Sequence, residues 1–232
     1  MESIMGIHER KEREREQRRE VILNAAQKVF FEKGLQSATM DEIAEEAELS
    51  KGTLYLYYKG KEDLYLAVMI RGIETLYDLF KEVIGKNDGI IMTIQKLSAV
   101  YIRFFREHGN LFRMFHYYQT PQFHKQVSEE ILQLCNEANQ RIWKMVVDLL
   151  RKGVDEGVLR SDLNPEENAV ILWSSASAIL MRMDTRREEF KQMLNVDLEN
   201  VLRKSNALLL ESMMTESSRK QFQSALFDHQ PS

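Results

Sequence analysis

Apolar residues recur at three- and four-residue intervals along most of the chain, which is the spacing of side chains on one face of an α-helix. The first such stripe contains Ile22, Ala26, Val29 and Phe30, and further stripes follow as far as Leu209. Turn-forming residues interrupt them at Gly34, 86–89, 109–110, Pro121, 153–157 and 162–165. Because no segment alternates like a β-strand and no internal repeat is present, the pattern predicts an all-α fold.

Residues 39–61, TMDEIAEEAELSKGTLYLYYKGK, carry two short helix patterns separated by a tight turn. Thr39 and Glu42 have the spacing of a capping box at the start of the first helix. Ser50 is a favourable N-cap for the second helix, which is predicted from residue 51 to about 58. The segment therefore has the signals of a helix-turn-helix.

The two predicted helices have matching apolar faces. Leu54 and Tyr58 lie four residues apart, so they share one face of the second helix and would pack on Ile43 and Ala47 of the first. The residues that remain outward are Lys51, Thr53, Tyr55, Leu56 and Tyr57. Such a set suits a helix in the DNA major groove. Two short packed helices are also a common structural unit, so the spacing alone leaves both interpretations open.

The choice of residues in this segment is more specific than their spacing. Residues 39–64, TMDEIAEEAELSKGTLYLYYKGKEDL, closely resemble the DNA-binding signature of the tetracycline-repressor (TetR) family of bacterial transcription regulators. In that signature Ser-Lys-Gly-Thr-Leu-Tyr opens the recognition helix. The likeness extends back through AAQKVFFEKGLQSAT and covers about residues 20–70. Gly60 departs from the family, which more often has Ser or Asn as the cap of the following helix, although Gly is a permitted cap.

The resemblance implies a DNA-contacting face, and physical reasoning adds two residues to it. The resemblance assigns to this face Lys51, Thr53, Tyr55, Leu56, Tyr57 and Lys61. Lys51 and Thr53 would reach base edges, while Tyr55, Tyr57 and Lys61 would donate to phosphate. Gly52 allows close backbone approach, and Thr39 can present a helix N-terminus to a phosphate. The alternative for Tyr55 or Tyr57 is packing against the first helix.

The charge of the chain does not by itself indicate nucleic-acid binding, because the net charge is −4. Residues 1–65 hold eleven Lys and Arg against fourteen Asp and Glu. Residues 49–61, however, contain three lysines and no acid, and a local basic face can steer DNA on an acidic protein. The charge run at 8–20 predicts a solvated helical extension held by opposite charges, or alternatively an arm that brings Arg10, Arg13 or Arg15 to a minor groove.

The remainder of the chain shows no pattern typical of an enzyme or a metal site. Neither a nucleophile elbow nor a phosphate-binding loop is present, and His108, His116 and His124 are not spaced for one helix face. Cys135 is the only cysteine, which excludes an internal disulfide. No apolar run is long enough for a membrane span and no secretory signal is evident. We therefore expect a cytoplasmic protein without catalytic residues, metal or cofactor.

The middle of the chain is rich in aromatic side chains, most of which ordinary core packing would explain. The family resemblance implies an effector pocket between the middle helices, and such pockets are mostly apolar with a few polar groups. The candidate ligand-binding residues are Tyr101, Phe104, Phe105, Phe112, Phe115, His116, Asn139, Trp143 and Trp173.

Two late helices resemble the pair that forms a four-helix homodimer interface in this family. Residues 169–181 are apolar nearly all round and include a run of small residues at 174–178, which permits close approach of helices. The last leucine-bearing helix would be its partner. The predicted interface residues are Trp173, Ala176, Ser177, Leu180, Val201, Leu202 and Leu209.

These patterns together predict an all-α protein with an N-terminal three-helix helix-turn-helix DNA-binding domain and a C-terminal helical ligand-binding and dimerisation domain. The predicted boundaries are 1–65, with a charged extension at 1–19, then 66–216, and a polar tail at 217–232. The predicted function is a homodimeric regulator, a repressor that a small apolar effector releases from a palindromic operator of double-stranded DNA. The alternative is a helical ligand- or partner-binding protein whose head no longer binds specific DNA.

Overall fold

The computed structural model describes the backbone of residues 2–118, 123 and 126–227, and the side chains of residues 8–115, 123 and 126–222. Within these ranges the chain is helical, and its only β-type pairing is an isolated bridge between Leu159 and Met214. The predicted all-α fold is confirmed. The predicted helix end at Pro121 lies outside the described residues.

The helices follow one another with short connections. They are α1 (Glu2–Ser37), α2 (Met40–Glu46), α3 (Lys51–Tyr55), α4 (Lys61–Gly85), α5 (Ile90–Glu107), α6 (Gly109–Tyr118), α7 (Glu129–Asp155), α8 (Pro165–Leu194), α9 (Leu198–Met213) and α10 (Glu216–Phe227). Among the described residues, none of these helices combines the length and apolar character that crossing a membrane requires.

The first helix buries the predicted apolar face and bends where glycine permits it. Ile22 and Ala26 are completely buried, and Val29 and Phe30 almost so. Gly34 has φ 72° and ψ 166°, a conformation outside the helical region that glycine adopts without a steric penalty. The regular helix therefore stops at Gly34, as the sequence predicted, and a short helical turn leads on to α2.

The chain forms two compact units whose limits differ from the predicted domain boundaries. One unit contains the described residues up to Thr75 together with Asn110–Ala138, and the other contains Leu76–Gly109 together with the described residues from Asn139 onward. Residue 65 lies inside the continuous helix α4. The first unit thus combines the helix-turn-helix with a segment that the sequence assigned to the effector domain.

Contacts along α4 explain why residues 110–138 belong to the first unit. Asp63 is buried and accepts hydrogen bonds from Ser128, from the backbone N at 2.8 Å and from Oγ at 2.7 Å. Tyr65 packs against Phe123, with ring centroids 5.6 Å apart. Gly72 lies so close to Leu111 that an added Cβ would come within 3.3 Å of that side chain. Helix α4 therefore contacts this segment at three positions along its length, Asp63, Tyr65 and Gly72.

The second unit is built around α5, α8 and α9, which share partly buried polar contacts. Ser175 Oγ and Ser205 Oγ are 2.8 Å apart, so α8 and α9 pack side by side. Asn206 Nδ2 donates to Ser98 Oγ of α5 at 2.5 Å. Residues 216–227, which overlap the predicted polar tail, form the helix α10. Arg219 donates to the carbonyl of Glu211 at 2.8 Å, which fixes α10 to the end of α9.

Candidate DNA-binding surface and effector site

Helix α2 begins with the capping box that the sequence predicted. The backbone N of Glu42 donates to Thr39 Oγ1 at 3.2 Å, and the backbone N of Thr39 donates to Glu42 Oε2 at 2.9 Å. These bonds satisfy two amide donors that a helix start leaves unpaired. The start of α2 is therefore fixed by local sequence.

Helix α3 is also capped as predicted, but it is shorter. The backbone N of Thr53 donates to Ser50 Oγ at 3.1 Å, and the two hydroxyl oxygens are 2.8 Å apart. The helix ends at Tyr55, and a turn leads on to Tyr58. Leu54 is completely buried and Tyr58 nearly so, as are their predicted partners on α2, which are Ile43 and Ala47.

The remaining side chains of this segment point away from the core. Leu56 is 80% exposed and Tyr55 is 49% exposed. Lys51 and Gly52 are exposed, while Thr53 and Tyr57 are half-buried. Exposure of Tyr55 argues against the packing alternative for that residue, whereas Tyr57 combines an outward position with partial packing. The side chains of Leu56 and Tyr55 are therefore accessible to a binding partner.

The acidic residues of α2 pair with nearby lysines. Lys51 Nζ lies 2.8 Å from a carboxylate oxygen of Asp41, and its hydrogen bond to Asp41 raises the pKa of Lys51. Lys28 pairs with Glu46 at 2.8 Å and Lys33 with Glu42 at 2.7 Å. These lysines are therefore locally neutralised in the DNA-free chain.

The structure gives Lys61 a different role from the predicted phosphate contact. Its ammonium donates to the carbonyl oxygens of Leu35 at 3.0 Å, Gln36 at 3.2 Å and Ala38 at 3.0 Å. An ammonium has three hydrogens, so these bonds use all of them. Lys61 thus fixes the corner between α1 and α2, and with it the position of the α2 N-terminus.

Part of the predicted effector site forms a polar and aromatic cluster in the second unit. The hydroxyl of Tyr101 lies 2.8 Å from Ser177 Oγ. Burial raises the pKa of Tyr101 to about 12, and hydrogen bonds to Ser177 and Trp173 lower it in part. Trp143 and Trp173 meet edge to face, with ring centroids 5.5 Å apart. Trp173 is 39% exposed, so this cluster reaches the surface of the chain.

The other predicted effector residues differ in their burial and in the unit to which they belong. Phe104 and Phe112 are completely buried, as ordinary core packing requires, and Phe104 stacks on His108 with centroids 5.0 Å apart. Phe112 and Phe115 belong to the first unit. Three residues are only partly buried, namely Phe105, Phe115 and Asn139. The side chain of His116 lies outside the described residues. No group of His, Cys, Asp and Glu among the described side chains could hold a metal ion.

The predicted dimer interface requires a correction. Four of its residues are buried within the chain itself, namely Ala176, Ser177, Leu180 and Leu202. They face inward because α8 and α9 already pack on each other. The outward side of this helix pair instead exposes Val170, Ile171, Ala178 and Leu208, of which Leu208 is 67% exposed. Val201 and Leu209 are partly buried at its margin. Sequence spacing could not show this, since the helix is apolar nearly all round.

Comparison with known proteins agrees with this architecture. A family model described as bacterial regulatory proteins, tetR family, matches residues 22–68. The transcriptional repressor KstR2 of Mycolicibacterium smegmatis is 24% identical over 149 residues, which cover 63% of this chain and 70% of that protein. The transcriptional activator FasR of the same organism is 45% identical over 62 residues, or 27% of this chain and 28% of FasR.

A solved structure extends the likeness to nearly the whole chain. The regulator FadR of Bacillus subtilis, crystallised in complex with stearoyl-CoA, superposes with a TM-score of 0.66 at 18% identity. The match covers 83% of this chain and 98% of FadR. The family model falls on the capped helix-turn-helix, and the superposition covers the helical remainder. Residues 22–68 therefore match the tetR family of bacterial regulatory proteins, and the chain as a whole has the fold of the regulator FadR.

Proposed function

We propose that this protein is a homodimeric repressor whose paired α3 helices read a palindromic operator and which a small apolar molecule releases from DNA. The observation that carries the proposal is the outward face of residues 51–57, presented by a helix-turn-helix whose inner face is fully buried. Its site of action would be the cytoplasm, where bacterial DNA lies.

The residues of α3 and the turn after it divide by position into base-reading and phosphate-binding groups. Lys51 and Thr53 lie in the first turn, where a recognition helix reaches base edges, and Gly52 between them allows close approach. Leu56 offers an apolar contact of the kind that a thymine methyl group accepts. Tyr55 and Tyr57 can donate to phosphate. The ion pair between Lys51 and Asp41 is solvent-exposed and contributes little, so DNA acceptors can replace it.

The effector class that the cluster supports best is a molecule with a long apolar chain and a polar end. Trp143 and Trp173 supply an aromatic wall that reaches the surface. The hydroxyl of Tyr101, 2.8 Å from Ser177 Oγ, adds a polar group beside this aromatic wall. The complex of the similarly folded FadR with stearoyl-CoA supports an acyl thioester as the first compound to test.

The contacts along α4 supply a route from effector to DNA. Helix α7 is continuous over Glu129–Asp155, so Trp143 lies on the helix whose first turn is capped by Asp63. Asp63 itself lies two residues after Lys61, which holds the corner before α2. A displacement of α7 or of the segment before it would therefore reach the helix-turn-helix directly. A coupling of about 1–3 kcal/mol would weaken operator binding roughly 5- to 150-fold.

The dimer follows from the size of a recognition helix and from the exposed apolar side of α8 and α9. One such helix reads only a few base pairs, so a palindrome with half-sites about 34 to 36 Å apart needs a second copy related by a two-fold axis. The side that exposes Val170, Ile171, Ala178 and Leu208 is a suitable surface for that second copy.

The test is operator affinity with and without an effector. Fluorescence anisotropy with labelled duplexes from the region upstream of the gene gives the affinity, and stearoyl-CoA is compared with coenzyme A alone. Trp143 and Trp173 are the only tryptophans, so their emission reports effector binding independently of DNA. We expect stearoyl-CoA to change the emission and to weaken operator binding, while coenzyme A does neither. A compound that changes the emission but leaves operator affinity unaltered would contradict the effector-released repressor.

A further inference from the structure

Most cations of the helix-turn-helix itself already have an acid or carbonyl partner in the DNA-free chain. Lys28, Lys33 and Lys51 are each paired with an acid of α2, and Lys61 is occupied by backbone carbonyls. Protein–DNA affinity depends strongly on the number of phosphates that cations neutralise. Residues 1–65 carry a net charge of −3, so cations of this unit that have no such partner are the first candidates for additional phosphate contacts.

Among the described residues up to 65, four cations form neither an ion pair nor a hydrogen bond. They are Lys11, Arg15, Arg18 and Lys59. Three of them lie on the N-terminal part of α1, where every side chain from His8 to Arg18 is exposed. Glu14, which is paired with Arg10, also experiences the charges of Lys11 and Arg18. The carboxylate of Glu14 thus interacts with three basic side chains, those of Arg10, Lys11 and Arg18.

The three residues form a stripe along one face of α1. Lys11, Arg15 and Arg18 are separated by four and three residues, and four more residues lead to the buried Ile22. The stripe therefore continues, beyond the domain core, the side of α1 on which Ile22 is buried. Glu9 and Glu16 lie on the opposite side of the helix, together with Arg13.

This part of α1 lies beside the end of the recognition segment. Burial raises the pKa of Tyr58 to about 12, and the charges of Arg19 and Glu16 also act on its phenol group. Tyr58 directly follows the turn after α3 and is followed by the exposed Lys59. Arg18, the last residue of the basic stripe, directly precedes Arg19, and the stripe extends from there toward the N-terminus of α1.

We propose that Lys11, Arg15 and Arg18 form a second DNA contact, a stripe that binds phosphates of the duplex outside the base pairs read by α3. The proposal rests on DNA binding by α3, and not on the effector. Seven residues of helix span about 10 Å, a length over which duplex DNA carries about six phosphate charges. Since α3 already brings DNA to the adjacent surface, duplex DNA is the polyanion that this stripe meets.

Two matched double variants test the proposal in the full chain. Arg15→Gln/Arg18→Gln removes two charges from the stripe, and Arg10→Gln/Arg13→Gln removes two from other faces of the same exposed helix. Both variants replace one good helix former by another at exposed positions, so the net charge changes equally. The control also loses the Arg10–Glu14 ion pair, which is solvent-exposed and contributes little to stability. Binding is measured at several salt concentrations on the operator with long flanks and on a duplex cut at the edges of the half-sites.

We expect the stripe variant to lower the slope of log affinity against log salt by about 0.9 for each lost phosphate contact, or about 1.8 for each protomer bound to DNA. The control should lower it much less, and on the short duplex the two variants should behave alike. Hydroxyl-radical footprints of the wild type should extend past the half-sites and shrink only in the stripe variant. Equal slopes for the two variants on the long duplex would overturn the proposal. If the protein binds DNA without sequence specificity, the repressor proposal fails. The same comparison of the two variants on any long duplex still tests whether the stripe contacts DNA.

Discussion

Lys61 shows how a single side chain can support a binding surface without touching the partner. Its ammonium gathers three carbonyl oxygens at the corner that precedes Thr39, so the N-terminus of α2 is held in one position. In the sequence Lys61 is one of several lysines near the DNA face. Only the fold shows that it is committed to the backbone, whereas Lys59, two residues earlier, is exposed and forms no described bond.

Replacing Lys61 by Gln should lower the free energy of unfolding by about 1–3 kcal/mol, because hydrogen bonds from a charged donor to partly buried carbonyls are lost. Operator binding should weaken without a change in its salt slope. Lys59→Gln is the control and should leave stability unaltered. Urea unfolding and salt titrations measure both effects. A slope reduced by about 0.9 with unchanged stability would instead indicate a direct phosphate contact by Lys61.

Thr53 is the residue at which base reading can be separated from general affinity. It lies in the first turn of α3, and its hydroxyl is 2.8 Å from that of Ser50. Thr53→Ala should reduce the ratio of operator to random-sequence affinity roughly five- to tenfold, the lower end of what a base contact contributes. Thr75→Ala removes a hydroxyl that bonds only its own helix and serves as the control. Equal losses on operator and random duplexes would remove the base-reading role.

At the scale of elements, the connection between α4 and α7 joins the helix-turn-helix to the segment at 110–138. Both carboxylate oxygens of Asp63 accept hydrogen bonds from Ser128, immediately before the first residue of α7. A helix N-terminus favours a negative charge, so this buried carboxylate is well placed. The same turn of α4 carries Lys61. One turn of α4 therefore carries two contacts: Lys61 bonds the corner before α2, and Asp63 bonds Ser128 at the start of α7.

Asp63→Asn should reduce the effector's influence on operator affinity to less than half its wild-type free energy, because the amide replaces one acceptor by a donor that faces Ser128. Affinity in the absence of effector should remain within a few-fold of the wild type. Glu62→Gln changes the same charge in the same turn, lies outside the contact and should behave as the wild type. Anisotropy titrations with and without stearoyl-CoA give the coupling. Full coupling in Asp63→Asn would show that the signal travels by another route.

At the scale of the whole molecule, we propose that two copies meet through the outward side of α8 and α9. Burying an apolar side chain as exposed as that of Leu208 stabilises an interface by about 1.5 kcal/mol or more. The inward residues Ala176 and Leu180 belong to the core of the single chain. Variants on the two sides of α8 should therefore fail in different ways.

Leu208→Arg should separate the dimer while each chain keeps its fold, because the substitution places a charge in the proposed interface between the two copies. Ala176→Arg should instead unfold or strongly destabilise the chain, since it places a charge between packed helices. Light scattering reports the mass and circular dichroism the fold. Operator affinity of Leu208→Arg should fall to that of a single half-site. An intact dimer of unchanged stability in Leu208→Arg would locate the interface on another surface.

The sequence by itself determined the helices, the capping box at Thr39, the N-cap at Ser50 and the inward set of Leu54 and Tyr58. Each of these depends on residues within one or two helical turns, so periodicity and side-chain chemistry encode them locally. The family signature then identified the helix-turn-helix, because its residues are contiguous in the chain.

The tertiary structure alone decided the role of Lys61, the attachment of Ser128 to Asp63 and the outward side of α8. The partners of Lys61 lie more than twenty residues away, and Ser128 is 65 residues from Asp63. A helix that is apolar on most sides, such as 169–181, does not show in its sequence which side packs internally. These features depend on which distant segments meet, and that follows from packing of the whole chain and not from any local pattern.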